Sequence, residues 1–208
     1  MRRTEIKHIT IKHYPTYQTY LDEQSSKLNQ GIDWIDSYEN MYQPLLTDLI
    51  RRLQQVVPTL TQSNQQVLCL GARRGAEVRA FRSLGFDCVG VDINPGPNNE
   101  LVMQGDFHNL DSLMPLQDIV YTNSLDHILD PDKFLNGVRK VLKPGGYFLI
   151  LRASVGVVYL DRFASFSWDN FDEVIKLISE YGFTHKGRIN IEGNNFFEAL
   201  ELLRRTGI

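Results

Sequence analysis

The sequence has no long apolar run and no excess of charge of either sign. No stretch is apolar enough over enough residues to cross a bilayer, and no apolar signal core follows the basic residues at the N-terminus. The formal net charge of −3 gives no general attraction to nucleic acids or to anionic membrane surfaces. We therefore expect a cytoplasmic protein that binds neither membranes nor nucleic acids.

Cysteine is also scarce, and internal repeats and low-complexity tracts are absent. Cys69 and Cys88 both fall in short apolar runs, so we expect two reduced core residues and no disulfide. Of the 208 residues, 42% are hydrophobic and 23% are charged, which is ordinary for a soluble globular protein. This length predicts one large domain, or one domain with an appendage.

The most informative stretch combines two apolar runs, a glycine turn and a helix. Residues 67–70 and 88–91 are short and almost continuously apolar, as in strands that are covered on both faces. Gly71 and Gly75 bracket the turn after the first run, and residues 76–84 have helical spacing. The pattern predicts a buried strand, a turn, a helix and a second buried strand.

An acidic residue stands at the end of the second predicted strand. Ligands of open α/β sheets bind outside the carboxyl ends of the strands, and Asp92 occupies such an end. One carboxylate can accept hydrogen bonds from both hydroxyls of a ribose. Asp92 is therefore a candidate ligand for a nucleoside.

Strands and helices continue to alternate after residue 66, which indicates a mostly parallel sheet with helices on both faces. The last two strands should form a hairpin, which makes one strand antiparallel. The further predicted strands are 101–104, 118–122, 147–151, 184–191 and 196–203, and the further predicted helices are 131–142 and 168–181.

The N-terminal part has a different character. We interpret residues 1–65 as a helical appendage to a domain formed by residues 66–208. Residues 1–13 alternate loosely and could form a short edge strand or a mobile arm. A tyrosine-rich helix is predicted over residues 14–28, and Gly31 should end it. A second helix follows, in which Pro44 predicts a kink or a break.

Four motifs over residues 66–151 together resemble the class I S-adenosylmethionine-dependent methyltransferases, in particular the type 11-like domain. The family's first motif usually has an acid, any residue, and then glycine at three alternate positions. Here those positions hold Cys69, Gly71, Arg73 and Gly75, so two glycines match while the acid and the middle glycine are missing.

The other three motifs follow in the family's order. They are Gly105-Asp106-Phe107 after the third strand, Leu125-Asp126-His127 after the fourth, and Leu142-Lys143-Pro144-Gly145-Gly146 before the fifth. The resemblance implies an α/β fold, namely a Rossmann-like doubly wound sheet of seven mostly parallel strands with one antiparallel strand. It also implies S-adenosyl-L-methionine as cofactor.

The resemblance implies roles for individual residues. Asp106 would accept a hydrogen bond from the adenine amino group, Phe107 and Ile93 would pack on the adenine, and Asn123 and Ser124 would contact the methionine end. The implied cofactor site consists of Gly71, Ala72, Arg73, Gly75, Asp92, Ile93, Asp106, Phe107, Asn123 and Ser124.

Two of these residues have a plainer interpretation that stays open. Asp106 could instead stabilise a turn or cap a short helix. Arg73 could bind the cofactor carboxylate or an anionic substrate through its guanidinium, or it could point to solvent or pair with Asp92, Glu77 or Asp126.

His127 is the candidate catalytic residue. Its near-neutral pKa suits a general base, but methyl transfer from a sulfonium often needs no strong base. A role in bracing the following helix is therefore the favoured interpretation. No metal site is predicted.

The predicted activity is direct in-line methyl transfer to a small-molecule or sugar-containing acceptor, achieved mainly by orientation. Residues 153–167 could form a lid over the site or part of the core. The expected acceptor-site residues are Tyr14, Tyr17, Tyr20, Trp34, Arg152, Tyr159 and Trp168.

Two other functions remain open at this point. The missing acid and glycine of the first motif would suit a protein that binds S-adenosylmethionine without turnover. An NAD-dependent oxidoreductase would also use a strand, a turn, a helix and a distal acid. However, the sequence lacks the GxGxxG motif of such enzymes, and residues 125–127 would be unexplained.

Overall fold

The computed structural model describes residues 3–6, 8–27, 32–60, 64–112, 114–155, 158 and 161–207. The strands are β1 Arg3–Ile6, β2 Ile9–Lys12, β3 Gln66–Leu70, β4 Asp87–Asp92, β5 Val102–Gln104, β6 Gln117–Thr122, β7 Leu142–Ala153, β8 Phe166–Trp168, β9 Phe183–Asn190 and β10 Phe197–Arg205. The helices are α1 Tyr17–Ser25, α2 Ile32–Val56, α3 Ala76–Arg82, α4 Pro131–Val141 and α5 Phe171–Glu180.

A seven-stranded sheet organises the molecule, with strand order β5-β4-β3-β6-β7-β10-β9. The pairs β5–β4, β4–β3, β3–β6 and β6–β7 are parallel, whereas β10 runs antiparallel to both β7 and β9. The sequence-based prediction of a mostly parallel sheet with one reversed strand is confirmed.

The strand order also locates the expected binding crevice. The chain proceeds outward from β3 to β4 and β5, and then returns to place β6 on the other side of β3. Connections leave the carboxyl ends of β3 and β6 in opposite directions, which opens a crevice between them. The turn after β3 and the segment after β6 border this crevice.

Both faces of the sheet are buried, as the apolar strands predicted. Successive side chains of a strand point to opposite faces, so Leu68 and Leu70 face one core while Val67 and Cys69 face the other. Helices α4 and α5 cover the first face, and α2 and α3 cover the second. Cys69 and Cys88 are buried free thiols with their sulfurs 3.5 Å apart, as expected from the sequence.

A second, three-stranded sheet with the order β1-β2-β8 was not predicted. The hydrogen-bonded register pairs Ile9 with Trp168, so Trp168 ends a strand. The sequence-based prediction of a helix that begins at Trp168 is therefore wrong. The helix α5 starts only at Phe171, where the side chain of Asn170 accepts from the Asp172 N–H. Because this pairing joins residues far apart in the chain, no local sequence pattern predicts it.

Of the predicted kink or break at Pro44, the break is wrong, because α2 continues from residue 32 to residue 56. A proline inside a helix costs about 3 kcal/mol or more. One face of α2 buries Tyr42, Leu46, Leu49 and Ile50, and this packing offsets the lost hydrogen bond. No helix in the described part of the chain is both long and apolar enough to cross a membrane.

The fifth strand of the large sheet begins earlier than predicted. Strand β7 starts at Leu142, directly after α4, but its pairing with β6 skips from Leu142 to Tyr147. Gly145 has φ +78°, so the LKPGG sequence makes an irregular turn within the strand. A Cβ on Gly146 would lie 2.9 Å from the Asp118 carbonyl oxygen, so only glycine fits there. The predicted helix end at Gly31 lies outside the described residues.

Candidate functional site

The turn between β3 and α3 forms the floor of the crevice. Gly71 has φ +71°, and a Cβ on it would lie 2.4 Å from the Ser124 Oγ, so the turn passes very close to the segment after β6. Arg73 also has a left-handed backbone, with φ +42°. Arg73 therefore keeps a glycine-like conformation at the position where the resemblance led us to expect the middle glycine.

Asp92 lies at the carboxyl end of β4 and faces the same turn. Its carboxylate accepts the Arg73 N–H at 2.9 Å and the Asn94 N–H at 2.8 Å. Burial raises the pKa of Asp92, while these two hydrogen bonds oppose the rise. Asp92 thus supports the turn and also lines a narrow crevice beside Ile93 and Phe107.

Asp106 has several protein partners of its own. Its carboxylate accepts the Tyr17 hydroxyl at 2.6 Å and the His108 N–H at 2.8 Å, and it also accepts the Asn109 side-chain amide at 2.9 Å. Burial alone would raise the pKa of Asp106, but the bonds from His108 and Tyr17 outweigh it and hold the pKa below its usual range. The turn-stabilising role considered for Asp106 is therefore present in the structure.

Helix α1 lies across the part of the crevice where a nucleoside was expected. The Asn94 amide donates to the Ser25 carbonyl at 2.9 Å, and the Tyr20 hydroxyl donates to the His127 carbonyl at 2.9 Å. The space that remains beside Asp92 and Ile93 is a pocket of about 40 Å³. In this arrangement, α1 side chains occupy much of the nucleoside crevice.

A much larger cavity of about 500 Å³ adjoins this crevice. The two spaces share Lys27, Gly71, Arg73, Ser124 and His127 in their walls. The larger cavity is lined by Lys27, Tyr38, Glu39, Tyr42, Gly71, Ala72, Arg73, Ala76, Glu77, Asn123, Ser124, Asp126, His127, Ala153, Asp161, Arg162, Phe163, Phe196 and Phe197. A volume in this range suits a small organic molecule.

One wall of the cavity is aromatic. The rings of Tyr38 and Tyr42 are stacked, with centroids 5.5 Å apart and planes inclined by 16°. The buried Tyr42 hydroxyl is hydrogen-bonded to the Tyr121 hydroxyl, and the Asn123 amide donates to the Tyr38 hydroxyl at 3.3 Å. These bonds fix a flat apolar surface beside the turn.

Glu77 adds a buried carboxyl group next to this wall. It lies in the first turn of α3 with 5% of its surface exposed. Burial raises the pKa of Glu77 to about 8, so this carboxyl is largely protonated at neutral pH when the cavity holds no cation. A cationic ligand in the cavity would favour its ionised form.

His127 lies in a short helical turn after β6, opposite a second loop. Its Nδ1 is 3.2 Å from the Phe163 carbonyl oxygen, while its Nε2 is 3.5 Å from Asp126 Oδ2 and 3.6 Å from Asp161 Oδ2. Burial lowers the pKa of His127 well below its usual value, so the imidazole is neutral at neutral pH. His127 thus contacts the loop before β8 through Phe163, whereas the favoured sequence-based interpretation had it brace the helix that follows, α4, which Asp130 caps.

The structure brings eight of the ten predicted cofactor residues to the two spaces, whereas Gly75 and Asp106 line neither, and it revises the predicted acceptor site. Gly71, Ala72, Arg73, Asn123 and Ser124 line the larger cavity; Gly75 ends the turn and caps α3; and Asp92, Ile93 and Phe107 line the narrow crevice.

Several expected acceptor residues lie elsewhere. Tyr14 and Tyr17 bond to protein carboxylates, Tyr20 lines the narrow crevice, and Arg152 pairs with Glu198. Trp168 is a core residue with 1% exposure, because it belongs to strand β8. Tyr159 and the side chain of Trp34 lie outside the described residues.

No sequence pattern marks Lys27 or Asp161 as a site residue, since both lie in connecting segments. The described part of segment 153–167 has residues in both the cavity wall and the core. Residues 161–163 line the cavity, whereas Phe166 is completely buried in the core.

A sequence model described as a methyltransferase domain matches residues 39–185. A search of curated proteins found no match.

Three solved structures share the fold. The 1,6-didemethyltoxoflavin-N1-methyltransferase of Burkholderia thailandensis, solved with 1,6-didemethyltoxoflavin and S-adenosylhomocysteine, is 17% identical with a TM-score of 0.62, and the match covers 99% of this chain and 100% of that one. A SAM-dependent methyltransferase of Archaeoglobus fulgidus is 16% identical with a TM-score of 0.58, covering 85% and 100%. An S-adenosylmethionine-dependent methyltransferase of Mesorhizobium loti is 13% identical with a TM-score of 0.55, covering 73% and 97%.

The matched residues 39–185 include the turn after β3, Asp92, Asp106 and the segment after β6. The family match and the shared fold support S-adenosylmethionine as the cofactor. The chain therefore belongs to the class I S-adenosylmethionine-dependent methyltransferases.

Proposed function

We propose that this protein transfers a methyl group from S-adenosylmethionine to a small molecule bound in the 500 Å³ cavity. The observation that carries the proposal is the position of that cavity. It adjoins the Asp92 crevice, and the two spaces share Gly71 and Arg73 of the turn after β3 in their walls. A cofactor that spans the turn would place its nucleoside beside Asp92 and its sulfonium at the mouth of the cavity.

The cofactor residues keep the roles expected from the sequence. Asp92 would accept the ribose hydroxyls, Asp106 the adenine amino group, and Ile93 and Phe107 would pack on the adenine. The turn after β3 would run alongside the cofactor through Gly71, Ala72, Arg73 and Gly75. Its methionine end would be contacted by Asn123 and Ser124. These assignments require α1 to withdraw from the narrow crevice, because a pocket of about 40 Å³ is too small for a nucleoside.

The cavity favours an acceptor with a flat apolar face. The stacked Tyr38 and Tyr42 and the rings of Phe163 and Phe197 supply apolar walls, while Asp126 and Asp161 supply charge at one end. The Burkholderia thailandensis enzyme, whose fold matches over 99% of this chain, was solved with bound 1,6-didemethyltoxoflavin. Orientation of the acceptor in line with the sulfonium would supply most of the rate.

A catalytically inactive S-adenosylmethionine-binding protein is the second candidate. The observation that favours it is the contact of α1 with Asp106, together with Cys69 at the position of the family's acid. Such a protein would bind the cofactor but would not transfer its methyl group.

Calorimetry and a labelling experiment separate these functions. We expect S-adenosylmethionine and S-adenosylhomocysteine to bind in a one-to-one ratio, and NAD not to bind. Incubation with a deuterated-methyl cofactor and a small-molecule extract should yield a labelled product. Cofactor binding without any labelled product would support the second candidate, and binding of NAD alone would refute both.

A further inference from the structure

Three hydrogen-bond acceptors point toward one another at the end of the large cavity. His127 Nε2, Asp126 Oδ2 and Asp161 Oδ2 belong to one group whose potential ligand atoms all lie within 4.8 Å of one another. The Asp126 side chain is only 7% exposed. Within the part of the chain that the structure describes, no other residue donates a hydrogen bond to its carboxylate.

The hydrogen bond at Nδ1 fixes the tautomer of the His127 ring. Nδ1 lies 3.2 Å from the carbonyl oxygen of Phe163, which can only accept, so Nδ1 carries the hydrogen. In the neutral ring, Nε2 therefore presents a lone pair to both carboxylates. Three electron-rich atoms that face one another in a partly buried place favour a cation between them.

The surrounding hydrogen bonds hold this arrangement without using the three facing atoms. Asp161 Oδ1 accepts the Phe163 N–H at 2.8 Å, which directs Oδ2 toward His127. The Ser165 N–H donates to the Asp126 carbonyl at 2.7 Å, and the Tyr20 hydroxyl donates to the His127 carbonyl. The loop before β8 is thus fastened to the turn after β6, which is the kind of support that metal ligands require.

We propose that Asp126, His127 and Asp161 bind one divalent transition-metal cation, of the class of Mn²⁺ or Zn²⁺. Ligand atoms about 2.1 Å from a tetrahedral ion lie about 3.4 Å apart. The two observed separations from Nε2, 3.5 and 3.6 Å, are close to this value. One imidazole and two carboxylates form a ligand set that suits borderline and hard divalent ions.

The three ligands leave at least one coordination position directed into the cavity. An ion in that place would act as a Lewis acid for an oxygen-bearing acceptor and would hold it at the His127 end of the cavity. This role of the metal rests on the proposed methyl transfer. Metal binding itself does not, because the three ligands lie together in the absence of cofactor.

Lys27 is the competing positive charge. Its ammonium lies 5.2 Å from the centre of the Phe163 ring, and it lines the same cavity. If this ammonium were the resident cation for the two carboxylates, the protein would have no need of a metal. A test must therefore separate the lysine from the metal.

The test is a titration of the full-length protein, stripped with a chelator, in the absence of cofactor. Loss of the free Mn²⁺ electron-spin signal measures binding, and Zn²⁺ calorimetry repeats it. We expect saturable binding of one ion per chain. Asp161→Asn should weaken it by roughly 10–100-fold or more. Asp48→Asn, the same change at an exposed position on α2, should leave it unaltered.

Other results would overturn the proposal. No saturable binding of either ion to the unmutated chain would do so, even if S-adenosylmethionine binds normally in a separate titration. Equal binding by Asp161→Asn would place the ion elsewhere. Binding that appears only in Lys27→Met would show that the lysine ammonium is the resident cation. Metal binding without cofactor binding would leave this inference standing and refute the proposed function instead.

Discussion

At the scale of single residues, Asp92 stabilises the turn and is proposed to bind the cofactor, and measurements on one variant can separate the two roles. It supports the turn through the Arg73 and Asn94 amides, and it is proposed to bind the ribose. A ribose contact with a charged acceptor contributes roughly 1.5–3 kcal/mol. The same carboxylate can serve both purposes because each of its oxygens has two lone pairs.

Asp92→Ala should therefore weaken S-adenosylhomocysteine binding by about one to two orders of magnitude in calorimetry. Asp87→Ala is the matched control, since Asp87 lies at the exposed opposite end of the same strand. Thermal unfolding of both variants reports the separate effect on the turn. Unchanged affinity in a folded Asp92→Ala protein would remove the ribose assignment.

Glu77 gives a prediction about pH. Its pKa is about 8 in the folded protein and about 4.5 in the unfolded chain, so the unfolded state releases its proton first as the pH rises. Folding stability from this residue is thus lost progressively between about pH 4.5 and pH 8. The total loss is on the order of 2–5 kcal/mol.

Glu77→Gln should remove this loss. We expect its free energy of unfolding to match that of the unmutated protein near pH 5 and to exceed it increasingly toward pH 8, as measured by urea denaturation at several pH values. Glu100→Gln, at an exposed position, controls for the change of net charge. A difference that does not vary with pH would argue against a buried, protonated Glu77.

At the scale of elements, helix α1 contacts the crevice that is proposed to bind the nucleoside. Tyr17 donates to Asp106, which is the proposed acceptor for adenine, so the tyrosine and the cofactor compete for the same carboxylate. The apparent affinity of a ligand is reduced by the fraction of protein in which its site is occupied in this way.

Tyr17→Phe should therefore tighten cofactor binding, by up to roughly tenfold. Tyr14→Phe is the matched control, because the Tyr14 hydroxyl bonds to Glu23 and Ser165 and does not reach Asp106. Calorimetry with S-adenosylhomocysteine measures both. Weaker binding by Tyr17→Phe would mean that this hydroxyl contacts the cofactor and does not compete with it.

The reversed strand β10 carries a completely buried charge, Glu201, between its two neighbours. Its carboxylate lies 2.9 Å from His185 Nε2 and 3.3 Å from Arg188 Nε on β9, and 3.7 Å from Arg152 Nε on β7. Removing one member of a buried ionic cluster leaves the others desolvated and unpaired. Glu201 therefore stabilises the packing of the edge strand β9 and of β7 against β10.

Glu201→Gln should lower the free energy of unfolding by roughly 3–5 kcal/mol. Glu198→Gln removes a carboxylate that also pairs with Arg152 but is 39% exposed, and it should cost no more than about 1 kcal/mol. Chemical denaturation of the two variants gives the comparison. Equal losses of unfolding free energy in the two variants would show that burial does not increase the contribution of Glu201.

At the scale of the whole molecule, the large sheet could be predicted from the sequence because its signals are local. The apolar run 67–70, the glycines of the turn and Asp92 all lie within one strand-turn-helix-strand unit. The small sheet β1-β2-β8 could not be predicted. It pairs Ile9 with Trp168, and a three-residue strand has no periodicity of its own.

In the site, too, residues with local sequence signals could be predicted, and those placed by long-range contacts could not. The residues at strand ends were predicted because the carboxyl edge of a parallel sheet collects them. Lys27 and Asp161 were missed because connecting segments bring them to the cavity, and only the packing of α1 and of the loop before β8 places them there. The filling of the nucleoside crevice by α1 likewise depends on long-range contacts.

The account depends most on where the nucleoside binds, and a crystal structure of the complex with S-adenosylhomocysteine tests this directly. We predict the ribose hydroxyls on Asp92, the adenine beside Asp106 and Phe107, and the Tyr17 hydroxyl withdrawn from Asp106. A complex in which α1 still fills the crevice and the adenosine lies elsewhere would contradict the account.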